Sequence, residues 1–145
     1  METASLILSM LAILGSIFTY FYHDRKIKNQ EKRLNEYQLK KFELEDIENQ
    51  KAQIKGNVTK TGTGNRALII FNAGKSTAYN IRLEILSETD GIIALKFDPY
   101  EMLNPQEKTD TNFFLTEGHA KTLKVKYVWN DRYKENNNFV QVLTI

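Results

Sequence analysis

His23 and His119 are the two imidazoles of the chain, and no pair of histidines stands at metal-ligand spacing. Ser76, Asp131 and His119 supply the letters of a hydrolytic triad, but nothing around Ser76 resembles a nucleophile elbow, and a turn hydroxyl is the simpler reading. Gly74-Lys75-Ser76 carries three letters of a phosphate loop without the upstream glycine, and Gly62 and Gly64 precede neither a Gly-Lys-Ser/Thr run nor a helix. Asp90, Asp98 and Asp131 would gather a calcium ion only if loops brought them to one end of a sandwich; isolated loop acids are more often solvated. Trp129 reads as core, and Lys121, Lys124 and Lys126 read as a solvated strand face rather than a nucleic-acid track. The expectation is a protein with no catalytic residues, no metal and no cofactor.

The elements that would carry these residues fit within 145 residues, room for one ordinary domain with accessory segments. Twenty basic and 18 acidic side chains leave a formal charge of +2, too little to draw the whole molecule to nucleic acid or acidic substrates. There is no cysteine, which excludes disulfides, thiolate metal sites and a cysteine nucleophile.

Thr3 to Tyr22 is a run of 20 residues without a charge, matching the roughly 30 Å of a bilayer's hydrocarbon at about 1.5 Å per residue. Tyr20, Phe21 and Tyr22 close the run, and Arg25, Lys26, Lys28, Lys32 and Arg33 follow. Aromatic-then-basic is the order expected at a membrane interface. A cleaved signal peptide fits less well, because the N-terminus offers Glu2 and the run ends in bulky aromatics. The basic flank predicts a cytoplasmic C-terminal bulk with the N-terminus outside, and the same residues can meet anionic head groups.

Residues 23–55 read as a charged helical stalk free of Gly and Pro, basic near the membrane and acidic further on. Gly56 and Asn57 are expected to end it. Tyr37, Leu44, Ile47 and Ile54 fit a heptad seam interrupted by Lys40 and Lys51, so a short coiled coil is an alternative to a lone helix. Ser5, Ser9, Ala12, Ser16 and Thr19 are spaced 4, 3, 4 and 3, a stripe of small side chains that lets two spans approach closely. Continued, that stripe reaches Leu44 and Ile47, which predicts self-association, with a dimer favoured.

The period then changes from helical to alternating. Strands are expected near Ile54 to Lys60, Ala67 to Phe71, Ile81 to Ile85, Ile92 to Leu95, Asn112 to Thr116, Leu123 to Trp129 and Phe139 to Ile145. Asp98-Pro99 to Asn104-Pro105 reads as a loop because of its two prolines. The core is expected to hold Leu68, Ile70, Ile81, Leu83, Ile85, Leu123, Val125, Tyr127 and Trp129. About seven strands in the last 90 residues predict an all-β, immunoglobulin-like sandwich over 56–145.

Three local patterns carry a resemblance. Phe71-Asn72-Ala73-Gly74-Lys75-Ser76-Thr77-Ala78-Tyr79-Asn80-Ile81 resembles the N-x-G-x-x-x-A-x-N-V strand-turn-strand of CARDB-type immunoglobulin-like domains of bacterial membrane and surface proteins. Leu103-Asn104-Pro105-Gln106-Glu107 is similar to their L-x-P-G-E turn, with Gln106 where glycine is usual, and Trp129-Asn130-Asp131 to their closing W-x-D. The resemblance implies a fold used for adhesion, packing and docking, and leaves the task open. The leading expectation is a non-enzymatic scaffold or interaction module, anchored in the bilayer, that presents a sandwich to a protein partner or a second copy at the cytoplasmic face. An outward-facing envelope module, and an accessory nucleic-acid-binding or hydrolytic component, are the alternatives.

Overall fold

The computed structural model describes the backbone of residues 2–145 and the side chains from Ile7 onward. One long helix, α1 (Glu2–Asn49), precedes eight strands: β1 (Ile54–Lys60), β2 (Asn65–Asn72), β3 (Ala78–Ile85), β4 (Ile92–Ile93), β5 (Tyr100–Leu103), β6 (Lys108–Leu115), β7 (Thr122–Asn130) and β8 (Asn137–Thr144). The chain divides into two compact units, Met1–Leu44 and Glu45–Ile145.

The described residues of the first unit are all helical. Its stretch of exposed apolar side chains, including Ile7, Leu11, Leu14 and Phe18, is long and apolar enough to cross a membrane.

In the second unit the helix ends at Asn49, short of the Gly56-Asn57 stop expected from sequence. Tertiary hydrogen bonds take over from helical ones. The Ala52 amide donates to Asp131 Oδ2 at 2.9 Å, the Gln53 amide donates to Asn72 Oδ1 at 3.1 Å, and the Lys51 carbonyl accepts from the amides of Lys75 and Ser76. Gly56 sits inside β1 instead, and the heptad seam stops at Ile47, because Lys51 follows the helix and Ile54 is fully buried in β1.

The strands form two antiparallel four-stranded sheets, ordered β1-β2-β6-β4 and β5-β3-β7-β8. The chain changes sheet at every step from β2 to β7 and stays within one sheet only from β1 to β2 and from β7 to β8, the Greek-key connectivity of immunoglobulin-like sandwiches. The Asp98 to Pro105 segment is not wholly loop. Pro99 and Pro105 lie just outside β5, leaving Tyr100 to Leu103 free to pair with β3 at the sheet edge.

Leu68 and Ile70 face inward from β2, and meet Ile81, Leu103, Phe113, Leu123, Val125, Tyr127 and Trp129 in one core. Leu83 and Ile85, expected in the core, are half-buried at its margin. Gly56 is buried against the Tyr127 ring, where a Cβ would overlap the hydroxyl oxygen. That hydroxyl is itself buried without a hydrogen-bond partner among the described residues, and burial pushes its pKa well above the ordinary tyrosine range.

Candidate interaction surfaces

The motif residues come together, but to build the fold. Asn72 is fully buried and uses all four side-chain hydrogen-bonding positions: Oδ1 accepts from the amides of Gln53 (3.1 Å) and Gly74 (2.9 Å), and Nδ2 donates to the carbonyls of Ser76 (2.7 Å) and Leu103 (3.0 Å). Its backbone pairs with Gln106 and Glu107. One side chain thereby joins the linker after α1, the β2–β3 turn and the end of β5. At Gly74 a Cβ would stand 2.5 Å from the Gln53 nitrogen, so glycine is what lets the linker pass. Asn80 occupies a left-handed conformation (φ 52°) where the β3–β7 register shifts, a backbone position that asparagine tolerates better than most residues.

The second and third patterns behave alike. Gln106 adopts φ 66°, the left-handed geometry that explains the usual glycine there. The Glu107 carboxylate accepts from the Asn104 amide at 2.9 Å, which lowers its pKa. Asp131 holds the Ala52 amide with one oxygen and the amides of Tyr133 and Lys134 with the other.

This geometry separates the catalytic candidates. Asn65 pairs with Phe114 and Phe71 with Lys108, so the turn carrying Ser76 and the turn carrying His119 lie at opposite ends of the sandwich. Ser76 is buried and its hydroxyl has no partner among the described residues, while His119 Nδ1 contacts the Ala120 carbonyl. The acids are divided the same way: Asp90 receives the Ala120 amide on its carbonyl at the His119 end, whereas Asp131 is engaged at the Ser76 end. Among the described residues no group of His, Asp and Glu side chains could hold a metal ion. Lys124 and Lys126 share the outer face of β7, where Lys126 pairs with Glu84 at 2.8 Å. An open cleft is lined by Glu48, Lys51, Gln53, Gly74 and Lys75, but its charges are already engaged: Lys75 with Glu48 at 3.6 Å, and Lys51 over the Tyr133 ring at 4.4 Å.

Tyr20, Phe21, Tyr22, Arg25, Lys26, Lys28, Lys32 and Arg33, expected from sequence at a membrane interface, all lie on the exposed surface of α1. Lys28 bonds Asp24 at 2.8 Å, and that hydrogen bond, followed by the charge of the same carboxylate, raises its pKa. Along the small-residue stripe, Ser16 Oγ donates to the Ala12 carbonyl and Thr19 Oγ1 to the Gly15 carbonyl, both at 2.8 Å. These back-bonds satisfy hydroxyls that would otherwise be costly in lipid. Ser5 is helical, but its side chain lies outside the described ones; Leu44 and Ile47 lie on the same helix.

Sequence reasoning missed Gln141. From β8 its side chain reaches across to β1, where Oε1 accepts from the Gly56 amide and Nε2 donates to the Gly56 carbonyl, both at 3.0 Å. The amide acts as a rung between the edges of the two sheets, and no local pattern announces it.

Fold and surfaces together define an immunoglobulin-like β-sandwich behind a long helix with a candidate membrane span. No family model and no curated protein matches the chain. Among solved structures it is similar to one described as the yeast GGA1 GAE domain-P21, at 16% identity and a TM-score of 0.46, over 65% of this chain and 90% of that one. So distant a likeness carries no function across, and the fold assignment rests on the strand order.

Proposed function

We propose that the chain is a bacterial single-pass membrane protein, with Thr3 to Tyr22 as the span, the rest of α1 as a stalk, and the sandwich as a non-enzymatic interaction module at the cytoplasmic face. The observation that carries this reading is the exposed apolar surface from Ile7 to Tyr22, followed at once by the exposed basic residues Arg25, Lys26, Lys28, Lys32 and Arg33. That order suits a bilayer with its basic flank inside. The reading of the sandwich as a binding rather than a catalytic unit is supported by its polar motif residues, which are taken up by the fold.

Fusing a fluorescent protein or alkaline phosphatase to Ile145 tests the orientation in a bacterial host. Fluorescence without phosphatase activity is expected. The reverse result overturns the cytoplasmic placement and makes the chain an outward-facing envelope module.

The stripe of Ser5, Ser9, Ala12, Ser16 and Thr19, continued by Leu44 and Ile47, is the surface through which two copies pair in the membrane under this proposal. Changing Ser9, Ala12 and Ser16 together to Leu is expected to reduce dimer crosslinking in membranes several-fold, with carbonate-resistant insertion unchanged. A native chain that crosslinks only as monomer removes the stripe's role.

A further inference from the structure

Each four-stranded sheet leaves two edges, and three of the four are blocked or short. β1 spends the amide and carbonyl of Gly56 on Gln141 in mid-strand, β4 has two residues, and β5 has four with the Leu103 carbonyl taken by Asn72. β8 differs. It is eight residues long, Asn137 to Thr144, carries no charge and no proline, and pairs on one side only. Edges of that kind are normally guarded by lysine, proline or a bulge.

The hydrogen-bond phase of β8 shows which groups are open. The Ile145 amide donates to the Lys121 carbonyl, and the Lys124 carbonyl faces the opposite way, accepting from Leu86. Odd-numbered residues of β8 therefore bond to β7, while Asn138, Val140, Val142 and Thr144 turn their amides and carbonyls to the free edge. Val140 and Val142 stand 42% and 61% exposed on the outer face of the sheet.

We propose that this edge pairs with the same edge of a second copy, antiparallel about a two-fold axis at Gln141. This register engages all four edge-facing residues. Val140 then lies opposite Val142 of the second copy and Asn138 opposite Thr144, while Phe139 meets Leu143. Charge permits the contact: residues 45 to 145 hold thirteen basic and thirteen acidic side chains, so the copies do not repel through net charge. Area decides the occupant. One strand pair covers far less than the roughly 800 Å² per partner that a freely diffusing dimer buries, so the partner must arrive at high local concentration. A copy anchored in the same bilayer does so; in this respect the inference rests on the membrane reading above.

The cysteine-free chain makes the register testable by oxidative crosslinking of full-length protein in membranes. Copies carrying Val140→Cys and Val142→Cys, co-expressed, should crosslink to each other, because bonded antiparallel partners lie about 5.5 Å apart, inside the roughly 4.4 to 6.8 Å that a disulfide spans. Copies carrying Val140→Cys alone should not. In the pairing of Asn138→Cys with Thr144→Cys copies, adding Val142→Pro should abolish the crosslink while the fold survives, since that amide is not used by β7. Val142→Lys is the second blocking variant and leaves the backbone intact. A Ser9→Cys crosslink reports pairing of the spans separately. The edge proposal is overturned if spans crosslink and the β8 pair does not, if Val140→Cys alone crosslinks equally well, or if Val142→Cys captures a different protein and no second copy.

Discussion

Replacing Asn72 with Ala is expected to destabilise the sandwich by on the order of 3 to 5 kcal/mol, among the largest effects of any single change. The substitution strands two amides and two carbonyls, of Gln53, Gly74, Ser76 and Leu103, in a fully buried setting. Each orphaned group costs about 1 to 3 kcal/mol, less where local relaxation admits water. Urea unfolding of the full chain in detergent, followed through the fluorescence of Trp129, measures it cleanly, because Trp129 is buried and is the single tryptophan. Asn72→Asp adds a test of sign. Full burial and the two facing carbonyls raise the pKa of a carboxyl there above the ordinary value of about 3.9, against the opposing pull of the Gln53 and Gly74 amides, so the deficit of that variant relative to the native chain should be smallest below this pH and grow as pH rises beyond it. Native-like stability of Asn72→Ala at neutral pH would show that the polar hub is dispensable.

The second large effect is expected at Gly56. Alanine there collides with the Tyr127 hydroxyl, and the tyrosine cannot retreat, because its ring is enclosed by the core. A loss of about 3 kcal/mol or more follows from overpacking of this kind. Tyr127→Phe removes the worst of the overlap and leaves the tighter but tolerable approaches of ring Cζ at 3.0 Å and Leu68 Cδ1 at 3.3 Å; because the hydroxyl has no partner among the described residues, that change alone should alter stability by less than about 1 kcal/mol. The double variant should therefore recover at least half of the loss, a coupling that a double-mutant cycle reads directly. Tyr127 also sets an alkaline limit. Its folded pKa is raised, so its contribution is intact below the ordinary tyrosine value of 10.0 and is lost as pH rises beyond it, when the unfolded chain ionises and the folded one does not. Tyr127→Phe should flatten that alkaline decline.

Much of the architecture was legible because it is local. A charge-free run, a switch from helical to alternating period, and turn residues placed the helix and seven of the eight strands. The misreadings are long-range. Gly56 reads as a helix stop because glycine often ends helices, whereas its role is to admit the ring of Tyr127 from another strand. The prolines hid β5, since position 99 or 105 gives no sign that the residues between them find an edge. The CARDB-like letters marked Asn72, Gly74, Asn80 and Asp131, but their duties depend on partners up to 79 residues away, such as the Ala52 amide held by Asp131. Gln141 was invisible for the same reason. The open edge of β8 emerges only once strand order and hydrogen-bond phase are known.

The rung between Gly56 and Gln141 joins residues 85 apart in sequence, which gives it a meaning in time as well as in space. At about 5 to 20 residues per second, ribosomal synthesis of that interval takes roughly 4 to 17 s. The β1–β2 hairpin can form early in that interval, but the edge of β1 waits uncapped to its end, and β7, once made, waits for β8 on one flank. On the membrane reading proposed above, the apolar start of α1 holds the growing sheets near a bilayer during those seconds, where exposed strand edges are most in need of a chaperone or of rapid completion.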